Sequence, residues 1–287
     1  MYALLIRRGD ETIFADARPN HGPNRVASIK SCSKSLVALL LGAAIERGEI
    51  KSVRARISDV APGLVPHDAT KGAASITMED LVTLRAGLAS TSGSQYGAWV
   101  HSDNWVAFVL RQPMVAQPGG RMIYSTGSTH VLGAALTEAT GMSLLTQARK
   151  RIGAPMGIEI AAWKTDPQGY YLGGNEMTLT PRSMLAIATM MRDGGRYNGH
   201  QVVSEDWMRE SLQPRTHSPF SGLAYGYGWF LTESGYVLAR GYGGQVIAAH
   251  PDRNLAVAIT SDPNRPARSA GYFGDIMALL EGPILSA

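Results

Sequence analysis

The 287-residue chain predicts an α+β fold, an α/β sandwich. A mixed, mainly antiparallel sheet would be built from both termini and flanked by helices, with a mainly helical region inserted between. Three observations carry this. Strand-like apolar patterning fills the first seventeen residues, helical periods dominate from residue 31 to about 212, and strand periods return after residue 222. Residues 1–30 and 213–287 then form the sheet region and residues 31–212 the helical region of one domain, a length sufficient to bury a large core.

The opening segment "YALLIRRGDETIFADA" reads as two strands around Gly9-Asp10, a two-residue hairpin signal. Thr77 precedes "MEDLVTLRAGL", and Asp80 completes a Thr-x-x-Asp capping pattern for a helix expected to end at Gly87. The stretch "SDNWVAFVLRQP" begins with cap residues and stops at a proline, and "STHVLGAALTEATG" has a 3.6-period apolar face and a terminal glycine. In "TPRSMLAIATMMRDGG", Thr180 and Pro181 take the N-cap and first-turn places. Strands "YGYGWFL", "YVLARGYGGQVIAAH" and "NLAVAITSD" follow, separated by good turn chemistry, and a last helix is expected from Ser269 to Ile284.

Composition narrows the function classes. A net charge of +4 with scattered lysines and arginines gives no basic stripe, so nucleic acid is not an expected partner. The single cysteine, Cys32, excludes intramolecular disulfides. No run is long enough to span a membrane, and the apolar-then-arginine order at the start is the reverse of a signal peptide's. The chain as written reads as cytoplasmic, or periplasmic if a leader has been removed. The seven histidines form no ligand-spaced pair, so neither a metal nor a cofactor is expected. Phosphate-binding loops, dinucleotide fingerprints and a Gly-x-Ser-x-Gly elbow are all absent from the sequence.

The chemistry points to "SIKSCSKSLVALLLGAAIERG", residues 28–48. Ser31 and Lys34 are three apart, so on a helix their side chains share a face. A serine hydroxyl needs a proton acceptor to become a nucleophile, and lysine serves only when burial keeps its amine neutral. The all-round apolar run from Leu36 to Ile45 offers that burial. The motif arises about once by chance in a chain of this length, and Ser28 or Ser31 could equally be N-caps, with Lys34 snorkelling near a helix end. Cys32 points elsewhere and has no histidine close in sequence, which favours a packing role.

Two further segments add weight. "PGGRMIYSTGSTHVLGAALTEATG" places Tyr124 just ahead of a helix, and "LARGYGGQVIAAHPDRNLAVAITSD" places glycines inside a strand, where glycine weakens the strand unless something must approach its backbone, such as a substrate carbonyl. In order, these pieces resemble the serine β-lactamase-like superfamily. The likeness is to its class C branch, penicillin-binding-protein-like family VIII carboxylesterases and 6-aminohexanoate-dimer hydrolases, and runs from about residue 28 to 262. The resemblance implies the β-lactamase/transpeptidase-like fold with its active site in the cleft between the two regions. It further implies Ser31 as the acylated nucleophile, Lys34 as its proton acceptor and Tyr124 as proton donor toward the leaving group. The backbone N–H groups of Ser31 and Tyr242 would form the oxyanion hole, and Thr126, Arg240, Gly241 and Gly243 would contact substrate.

The chain departs from the family pattern in two places. Thr126 stands for the asparagine of Tyr-x-Asn, and Ala239 for the lysine of Lys-Thr-Gly. Loss of that lysine favours an ester or amide over a β-lactam. Ser102-Asp103-Asn104 spells a class A element, but opens a helix where Ser and Asp are ordinary caps. The reading is a serine hydrolase acting through an acyl-serine on a small molecule: carboxylic ester first, amide or peptide-like bond second, β-lactam third. The rival is a non-catalytic penicillin-binding-type sensor. The sequence leaves the oligomeric state open.

Overall fold

The computed structural model describes residues 1–286. Eight strands form the main sheet: β1 (Ala3–Arg8), β2 (Glu11–Ala17), β3 (Thr216–His217), β4 (Ala224–Tyr225), β5 (Phe230–Leu231), β6 (Val237–Gly241), β7 (Gln245–His250) and β8 (Leu255–Thr260). Their order is β2-β1-β8-β7-β6-β5-β4-β3, so the two ends of the chain meet in the middle of one sheet. Every neighbouring pair is antiparallel, which sharpens the mixed sheet expected from sequence. Short hairpins join β3 through β8 in succession, and a short hairpin can only reverse the chain. The Gly9-Asp10 turn forms as expected, with Arg8 opposite Glu11 and Gly9 at φ 55.

Five helices matter for the site: α1 (Ser33–Glu46), α2 (Trp105–Leu110), α3 (Thr126–Thr140), α4 (Pro181–Arg192) and α5 (Tyr272–Leu279). Thr180 caps α4, its side chain accepting from the Ser183 N–H, and Gly141 closes α3 in the left-handed conformation. The sheet separates two cores. On one face Ala3, Leu5, Ala239, Ile247, Ala249, Ala256 and Ala258 meet α1 and α4, the small alanines letting helices sit close. On the other, Ile6, Leu238, Val246, Ala248, Val257 and Ile259 meet Phe273, Ile276 and Leu280 at the C-terminal helix. Helix α4, counted from sequence with the inserted region, therefore lies directly on β8 and β7.

Two local expectations are corrected. The helix after Thr77 stops at Val82 rather than Gly87, because Leu84 takes φ 59, a left-handed value that ends the helical path. Its capping box is present, Asp80 N–H donating to Thr77 Oγ1 at 3.1 Å and Thr77 N–H to Asp80 Oδ2 at 2.9 Å. At α2 the cap is Asn104, whose Oδ1 accepts from Ala107 N–H at 2.8 Å, while Ser102 donates backward to the Trp99 carbonyl at 2.7 Å. The Ser-Asp-Asn triplet is therefore capping chemistry, with the asparagine as the cap. No helix among the described residues is long and apolar enough to cross a membrane.

Candidate active site

Helix α1 is a buried rod: Ser33 through Ala44 are all buried, as its unbroken apolar run requires. Burying Leu36, Val37, Leu39, Leu40 and Leu41, each at 0% exposure, contributes roughly 1.5–3 kcal/mol per side chain. Gly42 is there because a Cβ would lie 2.4 Å from the Trp207 ring. The rod is preceded by a single 3-10 turn, Lys30–Cys32, which presents Ser31. No side chain caps either element, so Ser28 and Ser31 are not N-caps.

The turn is held in an uncommon backbone conformation. Lys30 has φ 50, and a lysine there costs roughly 1–2 kcal/mol. Ser33 Oγ donates to the Lys30 carbonyl at 2.6 Å, and Lys30 Nζ pairs with Glu176 at 3.0 Å. Glu176 is itself left-handed, at φ 66. Ser33 Oγ also accepts from the Met177 N–H at 3.2 Å. Cys32 does pack: it is fully buried, its Sγ lies 3.5 Å from the Gln245 carbonyl, and burial pushes its thiol up, which keeps the thiolate form scarce.

Lys34 Nζ lies 3.0 Å from Ser31 Oγ, 2.8 Å from the Gly174 carbonyl and 3.3 Å from Thr126 Oγ1. A neutral amine has two N–H donors and one lone pair, and this set offers two acceptors and one hydroxyl proton. An ammonium would turn its third N–H on the Ser31 hydroxyl and leave nothing to take the serine proton. Burial pulls the Lys34 amine down to about 7, and the Cys32 thiolate would act only weakly in the opposite sense. The ring of Tyr124 stands 4.9 Å from Lys34 Nζ. Burial raises the Tyr124 hydroxyl to about 12, partly offset by a hydrogen bond with Ser31, so at neutral pH it is a phenol that can give a proton.

Thr126 therefore reaches Lys34 although it is shorter than asparagine. Ser92, which carried no sequence signal, completes the contact: its Oγ accepts from Thr126 N–H at 2.9 Å and lies 3.0 Å from Thr126 Oγ1. Ser125 is likewise bound to Thr91, Oγ to Oγ1 at 3.1 Å.

A second contributor was invisible in sequence. Residues 173–179 form a strap across the turn that carries Ser31. The Gly174 carbonyl meets Lys34, Asn175 Nδ2 donates to the Tyr96 hydroxyl at 3.1 Å, and Glu176 pairs with Lys30. Met177 then donates its N–H to Ser33 Oγ and accepts from the Ile29 N–H at 2.9 Å. Thr178–Leu179 pairs antiparallel with Ala27–Ser28.

The glycine cluster has a reason within the chain itself. A Cβ on Gly241 would lie 2.2 Å from the Ile29 carbonyl, and one on Gly243 would lie 2.2 Å from the Asp262 carbonyl. The chain's own backbone occupies these approaches, and Gly241 thereby seats the end of β6 against the turn that carries Ser31. Tyr242, in the β6–β7 hairpin, is 51% exposed, and its N–H has no acceptor among the described residues. Gln245 steadies the hairpin, its Nε2 donating to the Ser261 carbonyl at 2.9 Å while its Oε1 accepts from Ser261 N–H at 3.0 Å. Arg240 points the other way, with its guanidinium 3.9 Å from the Phe273 ring and 3.3 Å from Ser269 Oγ. Burial lowers it to about 10. Among the described residues no group of three or more His, Cys, Asp or Glu side chains gathers as a metal site.

A family model described as Beta-lactamase matches residues 1–279. The chain belongs to the β-lactamase family. A 6-aminohexanoate-dimer hydrolase of Paenarthrobacter ureafaciens is 23% identical to this family member over 290 residues, covering 93% of this chain and 74% of the relative. Among solved structures, a Bacillus anthracis protein provisionally described as a 6-aminohexanoate-dimer hydrolase superposes with TM-score 0.80 at 17% identity, covering 98% of this chain and 79% of that one. EstCE1, described as a hydrolase with promiscuous acyltransferase activity, gives TM-score 0.74 at 17% identity, with 90% of this chain and 87% of that one covered. Family membership makes the protein a serine hydrolase on the β-lactamase/transpeptidase-like fold.

Proposed function

We propose that this family member hydrolyses small neutral carboxylic esters through an acyl-Ser31 intermediate, with amides second and β-lactams third. The carrying observation is Lys34: a buried amine, drawn down to about 7, sits 3.0 Å from Ser31 Oγ. Its lone pair takes the serine proton as Ser31 attacks the substrate carbonyl. Oxyanion charge would fall on the N–H groups of Ser31 and Tyr242. The Tyr124 phenol passes a proton to the leaving group and is reprotonated by Lys34 with the proton that Ser31 gave up; water then attacks the acyl group, its proton passing by the same groups to Ser31 Oγ as the acid is released.

The preference for a neutral substrate rests on where the cations are. Ala239 occupies the place of the family's carboxylate-holding lysine, Arg240 is engaged by Phe273 and Ser269, and Lys30 is paired with Glu176. The apolar rim supports the same class: Phe220 is 71% exposed and stands edge-on to Tyr124 at 6.5 Å, and Tyr242 is half-exposed. Amides rank second in keeping with the 6-aminohexanoate dimer for which the Paenarthrobacter relative is named. No observation favours the sensor reading, because Thr126, one of the two departures behind it, still contacts Lys34 at 3.3 Å.

A panel of short-chain p-nitrophenyl esters, anilides, nitrocefin and a D-Ala-D-Ala peptide, each run beside Ser31→Ala, tests this. Ester turnover should dominate and vanish in the variant. Full ester activity in Ser31→Ala would refute the assignment, and a Ser31 adduct by mass spectrometry without turnover of any substrate would favour a sensor.

A further inference from the structure

We propose that His130 and Asp166 are positioning residues for the reaction, a buried pair that fixes the Gly173–Leu179 strap so that the Gly174 carbonyl orients Lys34. The proposal rests on the reading of Lys34 as proton acceptor. The two side chains are wholly buried, with His130 Nε2 3.0 Å from Asp166 Oδ2. His130 lies among indole rings, 5.7 Å from Trp99 and 5.5 Å from Trp105. A pair of apolar side chains would fill such a site without desolvating a carboxylate, so stability alone does not account for the pair.

What the pair touches gives the account. Asp166 Oδ1 accepts from the N–H groups of Gln168 and Tyr170, both at 2.9 Å, which closes the turn of the hairpin spanning residues 163–172. Because the carboxylate takes the Nε2 proton, Nδ1 keeps a lone pair, and the Gly173 N–H donates to it at 3.4 Å. The hairpin is thus docked on α3 at the point where the strap begins, one residue before Gly174. Thr126 and His130 are four apart on α3, on one face. The same helix therefore holds Lys34 directly through Thr126 and indirectly through the strap. Clearance is small: a Cβ on Gly173 would lie 2.3 Å from the Thr129 carbonyl, and one on Gly174 3.0 Å from the Thr126 carbonyl.

Asp166→Asn is the decisive variant. It keeps the shape and the Oδ1 acceptor but turns an N–H toward His130 Nε2. The imidazole must then carry its proton on Nδ1, facing the Gly173 N–H, and two donors oppose each other. We expect kcat per fluorophosphonate-labelled serine to fall about 10- to 100-fold while KM changes less than about threefold, the signature of a displaced proton acceptor rather than of lost substrate contacts. Gly173→Ala, whose Cβ would press on the Thr129 carbonyl and the His130 backbone and so lift the strap while keeping both side chains of the pair, should reproduce it. Normal kcat per labelled serine in Asp166→Asn overturns the proposal. If both variants fail to fold, the ¹⁵N shifts of His130 in the unaltered protein decide, since a ring with its proton on Nδ1 refutes the arrangement and one protonated on Nε2 alone upholds it. Ser31→Ala separates the two layers: an active Ser31→Ala sinks the whole reading, whereas a dead Ser31→Ala beside a normal Asp166→Asn sinks only this inference.

Discussion

Replacing Lys34 by methionine should stabilise the protein at neutral pH while abolishing turnover. Lys34 is only 3% exposed, and burial lowers its amine from 10.5 to about 7. Between those values the unfolded chain binds a proton that the folded one does not, so stability rises with pH across that window. With a folded value of 7 and an unfolded value of 10.5, the penalty for carrying the amine is about 4 kcal/mol at pH 7 and about 2 kcal/mol at pH 9. Methionine removes the penalty but strips the Gly174 carbonyl of its donor, which costs about 1–3 kcal/mol. A net gain of about 1–3 kcal/mol at pH 7 remains. The cleaner quantity is the difference between the two proteins, because all other titrating groups cancel. Urea unfolding at pH 7, 8 and 9 should show the native chain gaining about 2 kcal/mol on the variant. A flat difference would mean that Lys34 carries its proton in the fold like any surface lysine, and the case for it as a base would collapse. In the same picture kcat/KM for a neutral ester rises with pH through about 7 as the amine loses its proton.

Three other substitutions test separate parts of the site. Tyr124→Phe should lower alkyl-ester and amide turnover about 100-fold and p-nitrophenyl esters much less, because a nitrophenolate leaves without a proton; equal losses would remove the phenol from the leaving-group step. Thr126→Val deprives Lys34 and Ser92 of a shared hydroxyl and should cost about 1–3 kcal/mol in unfolding free energy with a fall in kcat, whereas Thr126→Ser should retain most of both. Gly241→Ala drives a Cβ toward the Ile29 carbonyl and should lower stability by about 1–3 kcal/mol with kcat falling alongside; a change confined to KM would instead make Gly241 a substrate contact.

Where the chemistry was local, the sequence revealed it. Thr180-Pro181 at the start of α4, the Thr77–Asp80 capping box and the Gly9-Asp10 hairpin each depend on residues within one turn of one another, and each forms. Ser31 and Lys34 belong to this class as well. The misses share a different cause. Lys34 meets Gly174 across 140 positions, and Ser92 meets Thr126 across 34, with no periodicity to signal either. The strap works largely through carbonyl and amide groups, which every residue possesses, so no side-chain pattern marks it. The early helix stop at Val82 follows from a left-handed leucine, which propensity does not announce. The glycines near residue 241 signal close backbone approach, and the protein's own chain makes one, which no sequence pattern marks.

The meeting of both chain ends in one sheet has a consequence for how the protein is made. The turn bearing Ser31 rests against Gly241 at the end of β6, and β1 finds its partner in β8, with Leu5 opposite Ala258. A ribosome delivers these partners more than two hundred residues after Ser31 and β1. The nascent chain therefore carries the Ser31 turn without β6 through most of translation, although the apolar rod gains α3 as a packing partner much earlier, and contacts so distant in sequence close slowly. Catalytic competence would appear in one late step rather than accumulate, and chains cut short before residue 237 would hold Ser31 without the strand that its turn rests against.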